Sequence, residues 1–265
     1  MSEMKEKILR TALRLFAQEG YEAVSISRIA GALGLSKGAL YRHYRDKRDV
    51  LDSIVREMER RDAEGAQEYA LPGAEETEAM AARRTEENGA QETRAEGQAA
   101  GNTSGAREEE PSGGEEFPGA REEEPSGGAE FSDARDGEPS GGTESPAVTP
   151  RQLTEYARRM VRYWTRDEFA ADFRRMLTLE QYRDPEMARM LRQYLTIGPM
   201  EYTALLLENM GASHARERAA ALCGGMYMLI CAGDGAEDAS ECIALADAHL
   251  ERMRRELERE CAGIS

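Results

Sequence analysis

The sequence predicts an all-α protein in which two helical parts are separated by a long, disordered acidic insertion. Apolar residues recur at helical spacing on both sides of the insertion, and no segment alternates with the period of two expected of a half-buried strand. The net charge is +4 over residues 1–61, −17 over residues 62–150 and −3 over residues 151–265. The acidity of the whole chain therefore says little about its first sixty residues.

The first sixty residues contain four helical patterns. Their predicted bounds are 4–19, 26–33, 37–44 and 47 onwards. Gly20 ends the first helix, while Ser25 and Ser36 stand where N-cap residues would begin the second and third. Gly34 provides a tight turn between the two short helices. Two short helices joined by such a turn, with a helix on either side, predict a helix-turn-helix domain over residues 1–61.

The second short helix has the residues that a reader of the major groove needs. Ser36, Gly38 and Ala39 are small, so the backbone can approach base edges. Lys37 can donate to guanine acceptors, and Ala39 can contact a thymine methyl group. Donors suited to the phosphate backbone follow at Tyr41, His43, Tyr44 and Lys47. Alternative roles are a surface position for His43, ring packing for Tyr44 and a simple helix-start charge for Lys47.

Residues 12–55, which include SISRIAGALGLSKGALYRHYRDKRDVL, resemble the DNA-binding domain of the tetracycline-repressor (TetR/AcrR-like) family of transcriptional regulators. The resemblance implies phosphate contacts from Ser25, Tyr44 and Lys47, base-edge contacts from Ser36, Lys37, Gly38 and Ala39, and backbone or base contacts from Tyr41 and His43. It also implies a C-terminal domain that dimerises and binds an effector. The acidic insertion is a departure from the family pattern.

The insertion, assigned to residues 62–149, contains a 14-residue repeat. Its three copies begin at Gly105, Gly119 and Asp133, and each offers at most one Phe among Glu, Gly, Ser and Pro. Such a composition cannot bury enough apolar surface to offset the entropy of ordering, so the sequence predicts a disordered linker. Two interpretations remain open: a tolerated expansion without function, or an acidic arm that competes with DNA or recruits a partner.

Residues 150–265 predict a second helical domain. Helix starts are expected at Thr149 with Gln152, Thr165 with Glu168, Asp184 before Pro185, Ser213, and Asp238. Aromatic and methionine residues on neighbouring helices favour an apolar effector site, although a solid core explains the same pattern. The candidate effector-binding residues are Tyr156, Met160, Tyr163, Trp164, Phe173, Met176, Tyr194 and Tyr202.

The last two helices are expected to form a dimer interface. A run of small residues around Gly224 keeps one helix narrow, so that a second helix can approach it closely. The apolar stripes assigned to this interface are Met226, Met228 and Leu229 on that helix and Ile243, Ala246, Leu250, Met253 and Leu257 on the last helix. In the family, this helix pair forms a four-helix bundle with its two-fold mate, which presents two recognition helices to a palindromic operator.

Several classes of protein are excluded by what the sequence lacks. The longest apolar run, residues 226–232, is too short to span a membrane, and the N-terminus does not have the pattern of a secretory signal. The four cysteines form no C-x-x-C pair, and no catalytic motif or glycine-rich phosphate loop is present. We therefore expect a cytoplasmic protein that is not an enzyme and holds no cofactor or metal.

Together these features predict a homodimeric DNA-binding regulator, more a repressor than an activator. Its partners would be double-stranded DNA with a palindromic operator and a small hydrophobic effector, and it would have no membrane partner. The alternative is a ligand-independent regulator controlled by a protein partner through the acidic linker. A redox-sensing variant that uses Cys223, Cys231 or Cys242 is a third option.

Overall fold

The structure, a computed structural model, describes residues 3–69, 71, 77–87, 89–90, 148–234 and 238–263. All regular elements in this part of the chain are helices, which confirms the predicted fold class. The helices are α1 (Glu3–Glu19), α2 (Ile26–Ala32), α3 (Lys37–Tyr41), α4 (Lys47–Tyr69), α5 (residues 77–87), α6 (Pro150–Arg166), α7 (Glu168–Glu180), α8 (Pro185–Leu195), α9 (Ile197–Asn209), α10 (Ala215–Gly233) and α11 (Ser240–Cys261). The 14-residue repeats and their expected disorder lie outside the described residues.

Helices α1–α4 form the predicted helix-turn-helix unit around a shared apolar core. Ile8 and Phe16 of α1, Leu40 of α3 and Ile54 of α4 have no exposed surface. The chain leaves α1 through Gly20 and α2 through Gly34 with φ angles of 85° and 65°, which favour glycine. Helix α3 is shorter than predicted: it ends at Tyr41, and the chain continues as a turn only through residues 42 and 43.

The helix-turn-helix unit does not stand apart from the C-terminal helices. Helix α1 packs along α7, and one apolar core runs from Ile8 through Phe16 to Phe173 and Leu177. The described residues within 1–88 and 145–265 form a single compact unit. The predicted boundary at residue 61 therefore divides sequences of different composition, but not two separately packed bodies.

Most of the described residues between 62 and 87, which were assigned from composition to the linker, are helical. Helix α4 continues without a break to Tyr69, and α5 follows at residues 77–87. Ala81 is buried, as are Leu71 and Val148, in a second core with residues of α6 and α9. Arg84 of α5 donates two hydrogen bonds, 3.0 and 3.1 Å long, to the carboxylate of Glu208. The average composition of the insertion concealed these few packed positions.

Two of the predicted helix starts in the C-terminal part are confirmed by their capping bonds. Thr149 and Gln152 form a reciprocal capping box at the start of α6. Asp184 accepts from the backbone N–H groups of Glu186 and Met187, with Pro185 as the first residue of α8. Both patterns satisfy backbone donors that have no partner inside the helix.

Three other predicted caps are wrong in detail. Thr165 still belongs to α6, where its hydroxyl donates to the carbonyl of Val161, and Asp167 caps α7 instead. Helix α10 begins after His214 rather than Ser213, without a capping side chain. The residue before α11 is Ala239, although the Asp238 carboxylate accepts from the N–H of Ser240.

Candidate functional site

The two short helices of the helix-turn-helix unit begin at exposed serines. Ser25 Oγ accepts from the N–H of Arg28 and Ser36 Oγ accepts from the N–H of Ala39, each at 3.1 Å. These bonds fix the start of each helix and use only an acceptor lone pair of the hydroxyl. Each hydroxyl proton therefore remains available to donate to a phosphate oxygen.

Helix α3 presents its N-terminal turn to solvent. Leu40 anchors the helix in the core with no exposed surface, and Ser36, Lys37 and Gly38 are exposed on the other side. Tyr41 is 45% exposed, and the Lys37 ammonium lies 5.7 Å from its ring centroid. The ammonium of Lys37, the hydroxyl of Tyr41 and the open backbone at Gly38 are therefore all accessible on this short helix. Ala39 and His43 are half-buried beside them.

Tyr44 has an internal role in this structure. Its side chain is buried, and its hydroxyl donates to the carbonyl of Lys5 at 3.2 Å. Burial raises the pKa of Tyr44 to about 12. The single phenol proton is therefore already used within the domain, which corresponds to the ring-packing alternative. A phosphate contact from this hydroxyl stays a prediction.

Lys47, the first residue of α4, braces the turn between α1 and α2. Its ammonium donates to the carbonyl of Tyr21 at 2.9 Å and lies 4.1 Å from the centroid of that ring. The Glu22 carboxylate is a further partner at 3.8 Å. Lys47 is half-buried, so it is more than a charge at a helix start. Its predicted phosphate contact has not been tested by this geometry.

Polar contacts hold the helix-turn-helix unit against the C-terminal helices. The buried Glu180 carboxylate at the end of α7 accepts from the N–H of Tyr21 at 2.8 Å, directly after Gly20. Arg48, near the start of α4, donates to Glu186 of α8 at 2.6 Å. These contacts join the start of the α1–α2 connection and the first turn of α4 to helices that follow the insertion.

The predicted effector residues, here called the aromatic cluster, form three ring pairs that divide between the two cores: Tyr156 and Tyr202 pack in the second core, and the other residues pack in the first. Ring centroids are 5.7 Å apart for Tyr156 and Tyr202, 5.2 Å for Tyr163 and Trp164, and 5.9 Å for Phe173 and Tyr194. Phe173 and Met176 have no exposed surface, while Trp164 and Tyr202 are 8% and 7% exposed. The half-buried members are Tyr156, Met160, Tyr163 and Tyr194. Only this second group has surface to offer a ligand without rearrangement.

The apolar stripe assigned to the last helix is used within the chain. Ile243, Ala246, Leu250 and Leu257 of α11 are buried, because α11 packs along α6 and α10. These four residues of the predicted association surface therefore face their own chain. The exposed face of α10 and α11 keeps four other residues of that predicted surface, Ala220, Ala221, Gly224 and Met228, and adds Ala232, Ala244, Leu245 and Ala248.

Comparison with known proteins identifies the N-terminal part. Residues 8–54 match the family model for bacterial regulatory proteins of the tetR family. The chain carries a tetR-type helix-turn-helix domain. The uncharacterized HTH-type transcriptional regulator YerO of Bacillus subtilis (strain 168) is 47% identical over 51 residues, which are 19% of this chain and 18% of YerO. AcrR of Shigella flexneri, also an HTH-type transcriptional regulator, is 44% identical over 52 residues, 20% of this chain and 24% of AcrR.

The likeness beyond the tetR-type domain is weaker. The alignments span less than a third of the length of these relatives. A solved structure assigned to the same family, from Mesorhizobium loti MAFF303099, aligns over 94% of each chain with 16% sequence identity and a TM-score of 0.43. The family resemblance stated from the sequence is confirmed, while the roles of the C-terminal helices have to be argued from this chain's own residues.

Glu180 was not singled out from the sequence as a residue of the site. It joins α7 to the tetR-type domain, and nothing in its local pattern distinguishes it from a surface glutamate.

No helix among the described residues is long and apolar enough to cross a membrane. In the same part of the chain, no group of three His, Cys, Asp or Glu side chains is placed to hold a metal ion.

Proposed function

We propose that the protein is a homodimeric transcriptional repressor that leaves a palindromic operator when a small hydrophobic effector binds. The tetR-type domain reads the operator, and the helices after the insertion dimerise and hold the effector. A cytoplasmic location follows from this role. The exposed N-terminal turn of α3 carries the proposal, because it offers Ser36, Lys37 and Gly38 to a major groove while Leu40 fixes the helix behind them.

The exposed face of α10 and α11 supports the dimer. Met228 is 63% exposed and Leu245 is 53% exposed, which is unusual for two large apolar residues on adjacent helices. Gly224 and the alanines on the same face let a partner helix approach closely. A two-fold interface of this kind would place two α3 helices on one face of the DNA, as a palindrome requires.

The half-buried part of the aromatic cluster supports an effector site. Tyr156, Tyr163 and Tyr194 combine ring faces with hydroxyls, which suits a ligand with both apolar and polar groups. Release from DNA requires that the effector bind one arrangement of the dimer more tightly than the other. The contact of Glu180 with Tyr21 gives helix α7 a direct link to the tetR-type domain.

A binding selection from random double-stranded DNA tests the operator. The selected sequence should be palindromic, and Lys37→Ala should weaken its binding by ~1–3 kcal/mol if Lys37 reads a base. Lys7→Ala is the matched control, because Lys7 is an exposed lysine of the same domain that pairs with Glu3 within α1. Equal losses of operator affinity in the two variants would show that Lys37 contributes only its charge. Failure to select any DNA sequence would contradict the proposed function.

One observation favours the alternative of a ligand-independent regulator controlled by a protein partner. Four of the eight candidate effector residues, including Phe173 and Met176, are packed in the core rather than open to a ligand. The acidic residues 91–147, with a net charge of −11, would then receive the partner. Two results together would establish this alternative. No apolar compound would change operator binding, and a partner protein would release the operator only when residues 91–147 are present.

A further inference from the structure

The lysines of the chain all lie in the helix-turn-helix unit. The sequence contains four, Lys5, Lys7, Lys37 and Lys47, and no lysine follows residue 47. The other 31 of the 35 lysine and arginine residues are arginines, whose guanidinium group stays protonated and is therefore a poor nucleophile. A reagent that modifies side-chain amines of this sequence therefore modifies the helix-turn-helix unit.

Three of the four amines are engaged within the unit. The ammonium of Lys47 donates to the carbonyl of Tyr21 at 2.9 Å, lies 4.1 Å from the centroid of that ring and is half-buried. Lys7 donates to Glu3 at 2.7 Å, and this hydrogen bond raises the pKa of Lys7. Lys5 is half-buried, with its ammonium 5.6 Å from the centroid of a buried tyrosine ring. Each contact favours the protonated form, which lacks the lone pair that a nucleophile needs.

Lys37 is the open amine of the set. It is exposed, and so are Ser36 and Gly38 on either side of it. Among the described residues its ammonium forms no hydrogen bond or ion pair. It lies 5.7 Å from the centroid of the exposed Tyr41 ring, close to the ~6 Å limit of a cation–π contact. A Cβ on Gly38 would meet no atom within 4 Å, so a small molecule has room beside the Lys37 side chain.

The charge around Lys37 favours an anionic reagent. Residues 1–61 carry a net charge of +4, although the chain as a whole carries −16. Arg42 and Arg45, which follow α3, are both exposed. A positive surface of this kind raises the local concentration of small anions. Acyl phosphates are small anions that carry an acyl group activated for transfer to an amine.

We propose that Lys37 is an acylation site, at which an acyl phosphate transfers its acyl group to Nζ. The neutral amine attacks the carbonyl carbon, and the bond between this carbon and the phosphate oxygen breaks. Inorganic phosphate leaves, and the nitrogen gives one proton to water. The amide that forms is uncharged and has one N–H donor, whereas the ammonium has a positive charge and three donors.

The consequence for DNA binding rests on the proposed role of Lys37 at a base edge. Acylation removes the charge and two of the three donors that this role requires. It therefore lowers operator affinity without an effector, at a residue of the tetR-type domain itself.

Acetyl phosphate tests the site on the full-length protein without DNA. Protease digestion and mass spectrometry give the initial rate of acetylation at each lysine. We expect Lys37 to react at least threefold faster than Lys5, Lys7 or Lys47, and we expect the differences to disappear in concentrated urea. Glu3→Gln is the matched control: it should raise the rate at Lys7, which loses its ion pair, and leave the rate at Lys37 unchanged. Equal rates at all four lysines of the folded protein, or a slower rate at Lys37, would overturn the inference.

The effect on DNA is measured with Lys37→Arg, which keeps a positive charge but has no amine to acetylate. Each protein is compared with its own untreated form, so any loss caused by the substitution itself cancels. Acetyl phosphate should weaken operator binding of the wild type at least tenfold and of Lys37→Arg less than threefold. Equal losses in the two proteins would assign the effect to another lysine and reject the role of Lys37.

The two measurements separate this inference from the proposed function. The acetylation rates need no DNA, whereas the operator selection needs no acetyl phosphate. Preferential acetylation of Lys37 together with a failed operator selection would reject the repressor and keep the acylation site. A selected operator together with equal acetylation rates would keep the repressor and reject the acylation site.

Discussion

Replacing Gly20 by Ala should destabilise the protein more than the same change at Gly34. Both glycines end a helix with a positive φ, 85° and 65°, so alanine introduces strain of roughly 1–2 kcal/mol at either position. The two sites differ in their surroundings. A Cβ on Gly20 would lie 2.9 Å from Glu180 Oε1, whereas a Cβ on Gly34 would meet no atom within 4 Å.

The contact with Glu180 sets the size of the difference. A shift of this carboxylate to make room breaks its 2.8 Å bond with the N–H of Tyr21 and leaves the buried carboxylate and the N–H of a half-buried residue without their partner. Such a loss costs roughly 1–3 kcal/mol. We therefore expect Gly20→Ala to lower the free energy of unfolding by about 2–5 kcal/mol and Gly34→Ala by about 1–2 kcal/mol.

Urea denaturation followed by far-ultraviolet circular dichroism measures both variants against the wild type. Equal m-values are needed for the comparison, because a changed slope would mean that the compactness of one state had changed. Equal losses of stability in the two variants would refute the reasoning. They would show that the bond between Glu180 and Tyr21 does not contribute to holding α7 against the tetR-type domain.

Three further predictions concern DNA binding, assembly and the insertion. Lys47→Ala should weaken binding to all DNA sequences and also lower the melting temperature, because Lys47 has internal partners; an unchanged melting temperature would contradict the bracing role. Met228→Glu combined with Leu245→Glu should give a folded monomer by sedimentation, and a dimer that persists would place the interface elsewhere. Replacing residues 91–147 by a short Gly/Ser linker should tighten non-specific DNA binding at low salt, with a difference that shrinks as salt rises; equal affinities across the salt range would reject competition by this acidic segment.

The elements that follow local rules could be predicted from the sequence. Ser25, Ser36, Thr149 and Asp184 all cap the helices for which they were chosen, because a side-chain oxygen next to free backbone donors is a strong local signal. Thr165 failed as a cap because its hydroxyl has a competing acceptor, the carbonyl of Val161, one turn earlier in α6.

Positions that depend on tertiary packing could not be predicted in the same way. Residues 62–87 share the acidic composition of the repeats, yet isolated apolar residues such as Leu71 and Ala81 are buried because α6 and α9 cover them. The stripe of α11 was correctly identified as apolar, but the pattern alone does not say whether it meets its own chain or a second copy. Its burial against α6 shows that it meets its own chain, and leaves Met228, which the sequence had assigned to the interface, and Leu245 as the exposed large apolar residues of α10 and α11.

The end of α4 shows how the boundary of an element changes the interpretation of the residues within it. As part of a linker, residues 62–69 belong to an acidic spacer, but as part of α4 they share one helix with Lys47. Fifteen residues separate Lys47 from Asp62, so the two lie roughly 22 Å apart along the helix axis. A displacement of the C-terminal end of α4 would therefore reach the end that braces Tyr21 in the tetR-type domain. An effector can change DNA affinity by this route only if it binds one position of α4 more tightly than another.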